Sequence, residues 1–214
     1  ALPYFWLMIE SIDSYRQAFL KHLGQVSGPQ TPEGLYAPIN YILDLGGKRI
    51  RPVLVLLSAD LYGAESAEAL PAAMSIEIFH NFSLVHDDIM DDAPLRRGRQ
   101  TVHEKWDTNT AILSGDAMLI EAYRQLEVYP PEVYKELSQI FSKTALEVCE
   151  GQRYDMDFET LEQVSIEEYL RMIEFKTAVL LGCAMKMGAL IAGAPGRLTA
   201  RGCANVVTRS SSSC

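Results

Sequence analysis

A run of helical period from residue 67 to 91 ends in HNFSLVHDDIMDD, an apolar stretch that closes on Asp87, Asp88, Asp91 and Asp92. On an α-helix the 3.6-residue repeat places Asp87 and Asp91 one turn apart on one face, about 6 Å from each other, with Asp88 and Asp92 on the adjacent stripe. Carboxylates held that close repel one another and need a cation. Their oxygens suit hard metals such as Mg²⁺, Ca²⁺ or Mn²⁺, and Mg²⁺ is usually held by one or two carboxylates together with substrate phosphates. One segment therefore implies a helix, a divalent metal and a phosphorylated substrate.

Helical period recurs along the chain. Helices are expected at 9–24, 34–46, 52–62, 67–91, 108–128, 131–158 and 166–192, separated by short Gly/Pro punctuation, and no hairpin dipeptide lies between alternating strands. An all-α fold follows. The branched run VLVLL at 53–57 could make a strand, but Pro52 tips it to helix, since proline suits the first helical position. With 214 residues, 48% hydrophobic and 22% charged, the chain is long enough to bury a sizeable core. A single domain over 1–197 is expected, then a polar, serine-rich tail over 198–214.

The net charge of −9 argues against nucleic acid as a partner, so phosphate binding must rely on local basic clusters. Cys149, Cys183, Cys203 and Cys214 include no CxxC pair, and no histidine stands at zinc-finger spacing. Neither a disulfide framework nor structural zinc is expected, and a reducing cytoplasm fits best. The opening ALPYFWLMIE lacks a basic leader and is too short to cross a bilayer, so it reads as a packing segment or a cloning remnant. Residues 175–193 approach membrane-span length, yet Lys176 and Lys186 interrupt them and Gly182, Gly188 and Gly193 thin them. A buried helix, not a membrane span, is expected there.

Two basic clusters flank the aspartates. In LGGKRIRP (45–52), Lys48, Arg49 and Arg51 follow two glycines and precede a helix start. Glycine lets backbone approach a ligand, the helix end adds a positive dipole, and Lys and Arg supply charged donors. Taken alone, such a cluster is also what a solvated loop looks like. In PLRRGRQTVH (94–103), Arg96, Arg97 and Arg99 follow the aspartates after a short turn, which suits a diphosphate gripped by metal on one side and guanidinium forks on the other. The plain alternative, surface ion pairing worth about 0–1 kcal/mol per pair, does not offset the crowding of four carboxylates. Weaker signals are His80, two turns before Asp87; Gln152 and Asp155 in EGQRYD; and Lys176 with Thr177 in an otherwise apolar run.

In order, GGKRIRP, HNFSLVHDDIMDD, LRRGRQTVH, EGQRYD and FKT resemble the trans-isoprenyl diphosphate synthases of the polyprenyl synthetase family, over about residues 35–195. The resemblance implies an antiparallel helical bundle around a central active-site cavity, usually a homodimer. It also implies a Mg²⁺-dependent prenyltransferase, with Mn²⁺ a possible substitute, that joins isopentenyl diphosphate to an allylic diphosphate. Matched motif by motif, Gly47, Lys48, Arg51 and His80 resemble the isopentenyl diphosphate site, with Arg97 helping. Arg96, Gln152, Lys176 and Thr177 resemble the allylic diphosphate contacts. Asp87 and Asp91 resemble the metal ligands, with Asp88 behind them. Phe82, five positions before Asp87 and so about 7.5 Å along the helix axis, is placed to floor the cavity. An aromatic residue at this position is associated in the family with shorter products, so the resemblance implies farnesyl or geranylgeranyl diphosphate, with Ser83 leaving room beside Phe82; the plain alternative is that Phe82 packs against a neighbouring helix.

The family carries a second aspartate motif beyond FKT, but no Asp follows Asp157 here, so a truncated C-terminal part is expected. Two further readings are a catalytically incomplete subunit that tunes a full-length partner and a class I terpene cyclase. The cyclase would also use the aspartates and Mg²⁺ but would not need GGKRIR for a second diphosphate.

Overall fold

The computed structural model describes residues 2–26 and 28–194, with side chains from residue 12 onward. The expected tail over 198–214 and the side chains of the N-terminal apolar segment lie outside the described residues. In chain order the elements are α1 (Leu2–Val26), α2 (Glu33–Asp44), α3 (Ile50–Leu61), a 3₁₀ turn (Ser66–Ala69), α4 (Leu70–Met90), β1 (Leu95–Arg96), β2 (Arg99–Gln100), α5 (Val102–Lys105), α6 (Thr108–Arg124), α7 (Pro131–Phe158), α8 (Ile166–Ile173), a π-helical turn (Glu174–Ala178) and α9 (Val179–Ile191). The fold is all-α, as expected, and among the described residues no helix is long and apolar enough to cross a membrane.

Three local details differ from the sequence reading. Pro52 falls in the third position of α3, not the first; any place in the first turn serves, because those N–H groups lack an intrahelical partner anyway. The run expected as one helix over 166–192 is three elements, with the π-turn inserted at the FKT motif. Finally, 95–100 form a minimal antiparallel hairpin pairing Leu95 with Gln100 and Arg96 with Arg99. Its turn residues, Arg97 at φ 53° and Gly98 at φ 77°, both take positive φ, as a type I′ hairpin turn requires. Arg-Gly is not one of the usual signals for that turn.

The chain divides into two compact units, Ala1–Val53 with Leu70–Val128, and Leu54–Ala69 with Tyr129–Cys214. In the first, α4 packs chiefly along α6 and also meets α1 and α2. Phe19, Ile42, Ile76, Phe79, Met118 and Leu126 are fully or almost fully buried. Gly115 lets α6 approach α4: a Cβ there would fall 2.4 Å from His86 Nε2. In the second unit α7 packs on α9 and on the π-turn, around Leu137, Phe141, Leu180 and Met187. Gly188 of α9 lies against the end of α3, where a Cβ would meet the Val55 carbonyl oxygen at 2.2 Å, and Ser58 Oγ donates to the Met185 carbonyl at 2.7 Å. Composition explains this closeness, since Gly182, Ala184, Gly188 and Ala189 give α9 a narrow buried face.

Candidate active site

The chain leaves α2 through Gly46 (φ 76°) and Gly47 (φ 131°), and Arg49 also sits left-handed at φ 52°. Gly47 is required twice over. Its φ is open only to glycine, and a Cβ there would sit 2.8 Å from Arg97 Nη1. Arg97 itself donates to the Gly46 carbonyl. These turns bring Gly47, Lys48, Arg51, His80 and Arg97 around one pocket of 320 Å³, joined by Arg49, Ile50 and Glu77. All five residues matched to one ligand in the sequence, from three separate segments, are neighbours.

His80 and Arg51 form one polar pair: Arg51 Nη1 lies 3.1 Å from His80 Nε2. A guanidinium can only donate, so Nε2 accepts and the ring proton belongs on Nδ1. Burial, reinforced by the fields of Arg51, Arg97, Arg96 and Arg49, pushes the imidazole from 6.5 down to about 3. His80 is therefore a neutral group among cations.

At its C-terminal end α4 keeps the expected register, with the Asp91 N–H donating to the Asp87 carbonyl at 2.9 Å. Asp92 departs from it. Asp92 takes φ 47°, its N–H donates to the Ile89 carbonyl at 3.3 Å, and the Ala93 N–H donates to the Asp88 carbonyl at 2.9 Å. This is a Schellman cap, so Asp92 ends the helix and does not continue the Asp88 stripe. The Asp88 carboxylate, 2% exposed, is gripped by Arg96, whose Nε lies 2.8 Å from both oxygens and whose Nη2 lies 2.7 Å from Oδ1. The same Nη2 reaches Asp87 Oδ2 at 3.4 Å. Hydrogen bonding to Asp88, and the fields of Asp88, Asp87 and Asp91, raise the Arg96 pKa against a smaller opposing effect of burial. The hairpin that presents Arg96 is pinned at its far end by Thr101, which is fully buried. Thr101 Oγ1 donates to the Ala93 carbonyl at 2.8 Å, and Tyr41 Oη donates to the Gln100 carbonyl at 2.8 Å.

In the second unit Lys176 sits in the π-turn and Lys176 Nζ donates to Asp155 Oδ2 of α7 at 2.5 Å. Single π-turns inside helices recur at functional sites. Gln152 is one helical turn before Asp155, and its side-chain nitrogen is buried without a hydrogen-bond partner among the described residues. Thr177 follows Lys176 and is exposed. The sequence reading missed Gly151, which lets α7 touch the π-turn, and the buried pair Arg49–Glu77. Both had a signal: a glycine in mid-helix and a glutamate inside an apolar helical run.

Phe82 is buried on α4, with its ring 5.5 Å from that of Phe79 and 4.8 Å from the His86 imidazole. Ser83 Oγ donates back to the His80 carbonyl at 2.8 Å.

A family model for polyprenyl synthetases matches residues 32–209. This chain belongs to the polyprenyl synthetase family. It is 47% identical over 165 residues to the geranylgeranyl diphosphate synthase of Methanosarcina mazei, covering 76% of this chain and 51% of that protein. It is 45% identical over 166 residues to the geranylgeranyl pyrophosphate synthase of Geoglobus acetivorans, covering 77% and 52%. The chain thus spans about half the length of these curated relatives. A crystal structure of a geranylgeranyl pyrophosphate synthase matches with a TM-score of 0.86 at 56% identity, over 88% of this chain and 57% of that one. The synthetase from Pyrococcus horikoshii Ot3 matches at 0.85 and 34% identity, over 94% and 62%. Polyprenyl synthetases generally use a divalent metal. Among the described residues, no group of three or more His, Cys, Asp or Glu side chains is arranged to hold one unaided.

Proposed function

We propose that this protein is a trans-prenyltransferase that condenses isopentenyl diphosphate with an allylic diphosphate to give a short linear isoprenyl diphosphate. One observation carries the reading: Gly47, Lys48, Arg51, His80 and Arg97 share a pocket whose lining does not include the aspartate pair. A terpene cyclase binds one diphosphate and leaves that pocket without a role. The similarity to geranylgeranyl diphosphate synthases points the same way.

The donor set at the end of α4 fits Mg²⁺, or Mn²⁺ in its place. Asp87 and Asp91 offer hard carboxylate oxygens one turn apart, while Asp88 is committed to Arg96. Two carboxylates completed by substrate phosphates is the usual Mg²⁺ arrangement. When bound there, Mg²⁺ supplies Lewis acidity to the departing diphosphate. Arg96, steadied by Asp88, adds a fixed guanidinium at the same end of α4 for the allylic diphosphate. In the pocket, Lys48, Arg51 and Arg97 supply the positive charge for isopentenyl diphosphate, and His80 fixes Arg51. Lys176, Thr177 and Gln152 are proposed as diphosphate contacts on the second unit. Phe82 and Ser83 are proposed to set product length.

The active form is proposed to be a cytoplasmic homodimer. On α6, Ile112, Leu113 and Ile120 are 42%, 61% and 62% exposed, an apolar row suited to a second copy. The test is incubation with Mg²⁺, isopentenyl diphosphate and, separately, dimethylallyl, geranyl and farnesyl diphosphate, followed by chromatography. Elongated products that require isopentenyl diphosphate are expected. Products formed without it, or none with any primer, overturn the reading.

A further inference from the structure

Arg49 lies in the wall of the cationic pocket, between Lys48 and Arg51, and by spacing would count among the anion ligands. Its side chain is turned away from that task. Nη1 donates to Glu77 Oε1, and Nη2 donates to the Leu43 carbonyl in the last turn of α2. The Arg49 and Glu77 side chains are 2% and 4% exposed, whereas Lys48 is exposed and Arg51 partly buried. Glu77 is held in turn by the fully buried Asn81, whose Nδ2 donates to Glu77 Oε1 at 3.2 Å and to the Glu77 carbonyl at 2.8 Å.

The backbone at Arg49 needs such an anchor. A non-glycine residue at φ 52° persists only where its surroundings enforce it. The Arg49 carbonyl also accepts from the Val53 N–H at 3.2 Å, so Arg49 caps α3 and sets the start of the turn that carries Arg51. Fixing Arg49 therefore fixes Lys48 on one side and Arg51 on the other.

We infer that Arg49 is a strut, not an anion ligand, and that Glu77 is the positioning residue that holds it, so that this pair governs the pocket's affinity for isopentenyl diphosphate. The inference rests on reading the pocket as the site for that substrate. Glu77 neutralises Arg49, and Lys48, Arg51 and Arg97 are the three cations left to face a diphosphate, which carries up to three negative charges. A guanidinium suits the strut because it serves two acceptors in different directions, which a lysine ammonium at the end of a flexible stem does poorly.

Calorimetric titration of the whole chain tests this, with isopentenyl diphosphate as one ligand and geranyl diphosphate with Mg²⁺ as the reference. The variants are Glu77→Gln, Arg49→Lys and the double change Arg49→Met with Glu77→Met, each also followed by thermal melting. The double variant leaves no unpaired buried charge and so folds even if Glu77→Gln does not. Affinity for isopentenyl diphosphate is expected to fall by about tenfold or more in Arg49→Lys and in the double variant, on the scale of losing one charged hydrogen bond. Affinity for geranyl diphosphate is expected to hold. Wild-type affinity for isopentenyl diphosphate in the double variant overturns the inference, as does an equal loss for both ligands, which marks general loosening. Failure of the wild-type chain itself to bind isopentenyl diphosphate overturns the reading of the pocket, and is told apart by occurring before any substitution.

Discussion

Gly151 lies directly against the backbone of Lys176: a Cβ on the glycine would fall 2.3 Å from the lysine nitrogen and 2.7 Å from its Cα. The missing side chain lets helix α7 and the π-turn approach this closely. Gly151→Ala must push the turn away, and with it the Lys176–Asp155 pair. Overpacking of this kind costs about 1–3 kcal/mol. Turnover should fall by roughly tenfold or more while circular dichroism still reports a helical protein, and unchanged kinetics would remove the close approach from the list of requirements.

Asp87 and Asp88 are adjacent but differently employed, and substitution should separate them. Asp87→Ala removes a proposed metal ligand and should lower turnover by about a hundredfold or more, the scale of losing one preorganised charge-stabilising group. Asp88→Asn leaves Asp87 and Asp91 in place and loosens Arg96, so its effect should appear in the KM for the allylic diphosphate. Equal losses in kcat and matching Mg²⁺ dependence for both variants would contradict this division.

The acid limit of stability should depend on His80. Its pKa falls from 6.5 to about 3 on folding, so below pH 6.5 the unfolded chain takes up a proton that the folded chain refuses. The stabilisation is complete above 6.5 and is lost as pH falls through the window toward 3, at about 1.4 kcal/mol per pH unit. Urea titrations at pH 7 and pH 5 should show a smaller loss for His80→Gln than for the wild type. Parallel losses would mean that His80 titrates normally in the folded protein.

Phe82→Ala should lengthen the products. The ring packs on Phe79 and His86, and its removal opens α4 on the side proposed to stop chain growth. Truncating a buried phenylalanine costs about 3–5 kcal/mol, so the variant is best assayed well below its melting temperature. Chromatography decides the matter, since products no longer than wild type would refute the role.

Gly188→Ala tests the packing of α9 on α3. The new Cβ would meet the Val55 carbonyl oxygen at 2.2 Å and the Ala59 nitrogen at 2.9 Å, backbone atoms that cannot rotate aside. A loss of about 1–3 kcal/mol in denaturant titration is expected, and an unchanged midpoint would show that α3 and α9 separate at little cost.

Much of this was legible in the sequence. The helices follow from apolar period, as for α7, which begins at the Pro131 suited to a first turn. The grouping of Gly47, Lys48, Arg51, His80 and Arg97 follows from the resemblance of three motifs to the family, and the structure brings the five together. What could not be read depends on contact across distance. Nothing near Arg49 names Glu77, 28 residues on, as its partner, so a buried strut and a surface ligand look alike in GGKRIR. Gly188 reads in sequence only as thinning an apolar run and Gly151 draws no reading at all, and only their neighbours reveal them as points of contact. The π-turn at Lys176 escapes for another reason: one extra residue in a helical turn leaves hydrophobic period almost unchanged, and no residue type marks it.

The hairpin of β1 and β2 has a last consequence. Arg96 and Arg97 are joined by one peptide bond, yet the reversal at Arg97 sends one guanidinium to Asp88 and the other to Gly46. Pinned at Thr101, so short a device has little room to yield between them. A displacement of either guanidinium is thus passed to the other through one peptide bond. Under the proposed function, any effect that one diphosphate has on the binding of the other is equal in free energy in both directions.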